Sequence, residues 1–392
     1  MKKTILLFVY FLPLFSFAQT TLEFNSDIGL FNSAWDAQTL LNSLQYIDDQ
    51  QKQALLNQLN SENGFVVDIN NEIKFTSNRF SIAFGNHIFS YGLFDKNLVQ
   101  LGLYGNTTSL GQSFDLLPLE SKLIHYSDVE VGYQFDDKFW AGLSFIAGHQ
   151  MLSAEFLRLD YSSGQNGEFL SYDLLFEGVE SGRWQYYLDS ISEFEDINNL
   201  YNTLGRGIAL NFEFVEYISD GTLVIKVQDL GFVRWNENTS HYNISTSDLL
   251  QPLEVNDFNN IDTDFLVDKL DTLENLIDPY AEAYYMSLPT RFMSSFTKSI
   301  NNKYADLATI SAYHVLNVYT TPRLSIDFHK LYKKSELILG YHLGGLEKNG
   351  LQIQYLYKTK KVHYNLFTRE LGLYDMSQTQ ALHIGMGLKF IF

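Results

Sequence analysis

The ionisable side chains that could act together gather near the end of the chain: Arg323, Asp327, His329, His342, Lys358, His363, Arg369, His383 and Lys389. Each falls on the polar phase of a segment whose other phase is apolar, which puts them on one face of successive strands. If that face lines a lumen, its wall is cationic and would favour anions or dock an acidic segment. The plainer alternative is a polar interior whose groups satisfy one another and water. The histidines lie on different strands with no spacing that fixes them together, so a metal site is not expected. Asp257, Asp262 and Asp264 offer oxygen ligands, but the glycine and terminal glutamate of a calcium loop are missing. Ser113 follows Gly111-Gln112 without the G-x-S-x-G turn that would expose a nucleophile, and no glycine-rich phosphate loop occurs. The sequence therefore gives no reason to expect an enzyme or a cofactor.

The elements that position these residues are strands. The last residues set Leu382, Ile384, Met386, Leu388 and Phe390 against His383, Gly385, Gly387 and Lys389. Val129, Val131, Tyr133 and Phe135 alternate in the same way with Asp128, Glu130, Gly132 and Gln134. So do Ile208, Leu210, Phe212 and Phe214 with Ala209, Asn211 and Glu213. From Pro322 onward such segments follow one another through short turns, which makes neighbours antiparallel. A soluble sandwich would bury the greasy face; a transmembrane barrel would show it to lipid. The 31 Phe and 25 Tyr suit the aromatic girdles of a barrel, and the chain closes on Phe392 directly after an alternating strand. The expected fold is all-β: an antiparallel transmembrane β-barrel of about 14 strands, with 12 to 16 as the range around that even number.

Composition restricts the setting. Residues 1–18 carry Lys2 and Lys3, an apolar stretch from Ile5 to Phe17, then Ser16 and Ala18. That is the pattern of a cleavable secretory signal, too short to span a bilayer. No later apolar run reaches spanning length, so an exported barrel or an exported soluble protein is expected. The chain has no cysteine, which excludes disulfides and thiolate chemistry. Its 27 basic and 46 acidic residues exclude a non-specific nucleic-acid binder.

Three stretches do not alternate. Residues 19–63 are expected to form an N-terminal helical periplasmic or plug segment, because Leu40, Leu44, Ile47, Leu55 and Leu59 recur at helical spacing. The barrel would then occupy 64–392, with its first strand near Phe65. Two acidic inserts, 168–200 and 248–282, are expected as long loops or lumen inserts. They carry most of the net negative charge, whereas residues from Arg291 to Phe392 are net basic.

Two motifs resemble a specific family. They are Tyr104-Gly-Asn-Thr-Thr-Ser-Leu-Gly-Gln-Ser-Phe-Asp-Leu116 and Leu223-Val-Ile-Lys-Val-Gln-Asp-Leu-Gly-Phe-Val-Arg-Trp235, with Tyr284-Tyr-Met-Ser-Leu-Pro-Thr290 later. Together they resemble an uncharacterised outer-membrane barrel family of Bacteroidota, a domain of unknown function, distantly similar in plan to the long-chain fatty-acid transporters. The resemblance implies an outer-membrane location and no known substrate. The transporters' Asn-Pro-Ala hatch has no counterpart in Phe31-Asn-Ser-Ala-Trp35. Two functions are expected to compete: a porin-like or lipid/hydrophobic-solute conduit, and a non-conducting structural or assembly subunit of a secretion or surface complex. Expected partners are outer-membrane lipid, the barrel assembly machinery during biogenesis and another outer-membrane protein; nucleic acid is not among them.

Overall fold

The computed structural model describes residues 20–36, 39, 48–105, 109–166, 169–182, 203–250, 279–318, 321–345, 349–369 and 380–392. Its strands are β1 (Thr20–Asn32), β2 (Glu62–Ser77), β3 (Phe80–Asp95), β4 (Ser113–Asp115), β5 (Leu119–Gln134), β6 (Phe139–Ser163) and β7 (Leu170–Ser181). There follow β8 (Gly205–Ile218), β9 (Gly221–Trp235), β10 (Ser240–Leu250), β11 (Tyr280–Ala281), β12 (Tyr285–Ser287) and β13 (Thr290–Ser299). The series ends with β14 (Leu307–Leu316), β15 (Arg323–Leu331), β16 (Ser335–Gly344), β17 (Asn349–Lys358), β18 (Val362–Arg369) and β19 (Ala381–Ile391).

Fourteen of these close into an antiparallel barrel, matching the strand number expected from alternation. The ring runs β1–β2–β3–β5–β6–β8–β9–β13, continues through β14 to β19, and shuts where β1 pairs with β19 from Thr21↔Ile391 to Phe31↔Ala381. Closure satisfies the edge groups of every stave, which an open sheet in hydrocarbon could not do.

The start of the barrel corrects the sequence reading. Its first strand begins at Thr20, so the helical segment does not precede the barrel. Within it the helix Asp49–Gln58, capped by the Asp48 side chain, lies in the connection between β1 and β2. The strand was hidden because its outward phase, Leu22, Phe24, Ile28 and Leu30, is interrupted by Ser26. Residues 37–38 and 40–47, like the expected signal at 1–18, lie outside the described residues.

The acidic inserts are corrected in part as well. About a third of the first is a strand, the 12-residue β7, held between the far half of β6 and β10. The 25-residue β6 pairs with β8 along its first half and with β7 along its second, so β6, β7 and β10 extend the wall past the ring. Of the second insert, Asp248–Leu250 end β10 and Tyr280–Ala281 form β11. The helical period at 265–277 and the carboxylates Asp257, Asp262 and Asp264 lie outside the described residues.

The two ends of the barrel differ. The end holding Thr20 and Phe392 has tight turns, such as Asn78-Arg79 and Ser219-Asp220, where Asn78 (φ 56°) and Ser219 (φ 53°) take the left-handed backbone a two-residue hairpin requires. The opposite end carries the long connections, including 33–61 and 96–118. Between them, the outward phase is greasy: Phe84, Val131, Phe145, Ile208, Leu324, Leu339 and Leu366 are all exposed. Such an apolar skin is stable against hydrocarbon and unfavourable against water. Among the described residues, no helix is long and apolar enough to cross a membrane.

Candidate lumen site

The inward phase of the staves builds two layers of different chemistry. On β2 the inward positions read Val66, Asp68, Asn70, Glu72 and Lys74, going from the long-loop end towards the terminal end. The change from apolar to polar recurs on β3, β5, β9 and β14, whereas β13, β15, β18 and β19 carry Arg291, Arg323, Arg369 and His383 towards the long-loop end.

The polar layer surrounds a cavity of about 570 Å³. Its centre is Arg291 on β13, which is buried, donates to Asp68 Oδ1 (2.8 Å) and Asn70 Oδ1 (3.0 Å), and pairs with Asp229. Asp229 reaches Arg291 because β9 is irregular there: its φ is 58° and the β8–β9 register shifts between Leu210 and Phe212. An extra residue of this kind re-aims a side chain at the cost of a local ladder bond. The irregularity is satisfied in turn by Asn211, whose Oδ1 accepts the Asp229 backbone N–H at 2.7 Å. The Asn211 amide donates to Glu130 Oε2 at 2.7 Å, and Lys74 pairs with Glu130 at 3.2 Å. From Asn70 the network continues to His87 (2.9 Å) and then to Asp128 (3.0 Å). These groups come from six strands and bind one another, as buried charges must.

The residues singled out in the sequence sit across the cavity or below it. Arg323, Asp327, His329, Arg369 and His383 line it. Arg369 and His383 are 3.1 Å apart, His383 pairs with Asp27, Asp327 with Gln352, and Arg323 lies over the Tyr313 ring at 4.8 Å. His329 bonds Glu336 at 2.7 Å, and Glu336 also pairs with Lys358 at 2.9 Å. Lys389 pairs with Glu23 at 2.6 Å, near the terminal end. His342 is fully buried on β16 opposite Ser325, and His363 stands in register with Lys358 and Lys389 below the cavity.

A cationic wall is therefore only one arc. The facing arc contributes Asp27, Asp68, Glu72, Asp128 and Glu130, and the cavity as a whole is of mixed charge. Sequence reading missed Arg291 and Asp229 because their partnership crosses 62 positions and depends on register. The run Asp68, Asn70, Glu72, Lys74 against Val67, Ile69 and Ile73 was the available signal. Among the described residues, no group of three or more His, Asp or Glu is arranged to hold a metal ion.

Above the cavity, towards the long loops, inward side chains pack into an apolar plug. Val66, Phe89, Tyr91, Ile124, Tyr126, Ile146, Met151, Val233, Trp235 and Leu288 form one buried cluster. Tyr126 and Trp235 are 0% exposed, and neither the Tyr126 hydroxyl nor the Trp235 indole N–H has a hydrogen-bond partner among the described residues. Barrel interiors are usually polar, so large apolar groups facing inward call for a reason. An orphaned buried polar atom calls for one too.

Among solved structures, the chain is similar to a FadL homologue of Pseudomonas aeruginosa, at 8% identity over 96% of this chain and 89% of that one, with a TM-score of 0.40. It is also similar to the toluene transporter TbuX of Ralstonia pickettii, at 8% identity over 95% and 89%, with a TM-score of 0.36. No curated protein matches it in sequence. A family model matches residues 8–341 and takes in both motifs that suggested a family of unknown function. The chain belongs to that family of unknown function, DUF5723.

Proposed function

We propose that this chain is an outer-membrane conduit for a small hydrophobic or amphipathic solute, held shut at rest by its own side chains, and not an enzyme or an open water-filled pore. The apolar skin, closed ring, short turns at the terminal end and long connections opposite agree with an outer-membrane barrel whose termini face the periplasm. Outer-membrane lipid would cover the skin, and the barrel assembly machinery would insert it.

The observation that carries the reading is the inward apolar cluster around Tyr126 and Trp235, stacked directly on a polar cavity. Water and ions gain nothing from such a layer, whereas an apolar body fits it and a polar group on the same solute could meet the orphaned hydroxyl and indole N–H. A test adds a small aromatic hydrocarbon or a sugar of similar size to the purified barrel. The hydrocarbon should shift the emission of a variant keeping Trp235 as its sole tryptophan, and the sugar should not. If neither does, the conduit reading fails.

One observation favours a second reading, an assembly subunit. The β6–β7–β10 extension projects past the ring as a wall that a simple pore does not need. A mild-detergent pull-down recovering a stoichiometric partner, lost on shortening β7 and β10, would favour it.

A further inference from the structure

The outer wall carries a row of polar side chains in the middle of its apolar band. Ser26, Asn71, Asn86 and Ser127 stand directly opposite one another in sequence across β1, β2, β3 and β5. All four belong to the outward phase. Phe24 and Ile28 flank Ser26, Ile69 and Ile73 flank Asn71, and Phe84 and Ile88 flank Asn86. Each lies six or seven residues from the turn at the terminal end, about 20 Å along a strand, which is well inside a lipid-facing band roughly 25 Å tall. The buried His125 and His149 back the row, bonding Asn86 at 3.1 Å and Ser127 at 2.9 Å.

Part of the row satisfies itself. Ser26 donates to Asn71 Oδ1 at 2.8 Å, Asn86 Nδ2 donates to Ser127 at 3.1 Å, and His149 bonds Ser127 at 2.9 Å. No hydrogen bond among the described residues uses the Asn71 amide N–H groups or the Asn86 carbonyl oxygen. An exposed donor and an exposed acceptor therefore sit side by side where acyl chains offer neither, at a cost that water would remove but lipid does not.

We propose that this row is the contact surface for a second copy of this chain. A row holding both an open donor and an open acceptor is complementary to itself: a two-fold axis near Asn71 and Asn86 sets the amide of each copy against the carbonyl of the other. Small and polar side chains are what brings membrane-embedded walls together, since apolar groups gain little by leaving lipid. Ser26, Asn71 and Asn86 themselves line a trough of about 930 Å³ in the outer wall, with Phe24, Ile73 and Phe84 on one side. The inference rests on the membrane reading but not on conduction.

The chain has no cysteine, which makes the test clean. Asn71→Cys and Ser26→Cys are compared with Leu343→Cys, an exposed site on β16 in a different arc of the ring, using a copper oxidant on isolated membranes. A heat-modifiable folded band in every sample checks barrel insertion separately. Asn71→Cys or Ser26→Cys should form a disulfide-linked dimer about tenfold faster than Leu343→Cys. The double variant Asn71→Val/Asn86→Val should stay folded and run as a monomer by native mass where the parent is dimeric. Equal cross-linking at all sites, a monomeric parent, or a dimer that survives the double variant would overturn the proposal.

Discussion

The two inward layers of this barrel share strands β2, β3, β5 and β9, yet they obey opposite rules. Below, around Arg291, the charged groups are bound to one another through Lys74, Glu130, Asn211, Asp229, Asp68, His87 and Asp128. Above, around Trp235, the inward groups are apolar and two polar atoms have no partner among the described residues. A period-2 strand fixes which way a side chain points, not what chemistry it carries there. β2 changes from Val66 to Asp68 within one inward step, and that step is the boundary between a charged network and the apolar layer that, on the proposed function, closes the bore.

The sharpest way to break the polar layer is Arg291→Met. It leaves the buried Asp229 and the half-buried Asp68 without their cation, and should lower unfolding stability by about 3–5 kcal/mol. Urea unfolding in lipid vesicles reads it. Adding Asp68→Asn and Asp229→Asn should recover much of the loss, because what costs is the uncompensated charge. Recovery by neither change would mean that the network is not what holds these strands together.

The apolar layer should fail differently. Trp235→Ala should also cost about 3–5 kcal/mol, through a cavity that no polar substitution elsewhere can restore. It should in addition open the bore, an effect Arg291→Met should not share.

A third change contrasts outside with inside. Val129→Arg places a charge on the lipid-facing skin and should cost about 2–4 kcal/mol near mid-depth. Ser295→Arg, lining the cavity, should change stability far less. Equal costs in vesicles would argue against lipid on the outer face.

The smallest effect lies in a turn. Asp306 accepts the Leu331 backbone N–H at 2.7 Å, and this bond holds its carboxyl below the usual carboxylate range, with help from Lys330. A depressed folded pKa gives stability that is present above the unfolded value and lost as pH falls through the folded one. Asp306→Asn should therefore be slightly less stable than the parent at neutral pH, and the difference should close on acidification. A gap that widens with acid would reverse the sign.

Much of this was legible in the chain. Alternation in Val129–Gln134, Ile208–Phe214 and Leu382–Phe390 depends only on strand geometry, so fold class and strand number followed. β1 was not legible, because Ser26 occupies an outward slot that the period reserves for an apolar group. That misplaced residue is the one that begins the polar row. β7 was obscured because its acidic content resembles a loop and Leu175 breaks its period. The lumen was legible only along single strands. Arg323, Arg369 and His383 could be assigned a face, but their facing carboxylates come from strands some 200 to 350 positions earlier, and register alone joins them. Nor does any pattern distinguish an inward apolar residue that plugs a bore from an outward one that meets lipid until a bulge such as the one at Asp229 shifts the phase.

The most direct test of the closed bore is electrical. The full chain and its Tyr126→Ala/Trp235→Ala variant, each reconstituted in a planar bilayer, are compared at the same applied voltage. The parent should insert without steady ohmic conductance, and the variant should conduct ions through the space vacated by the two rings. A parent that conducts as steadily as the variant would contradict the claim that these side chains shut the barrel.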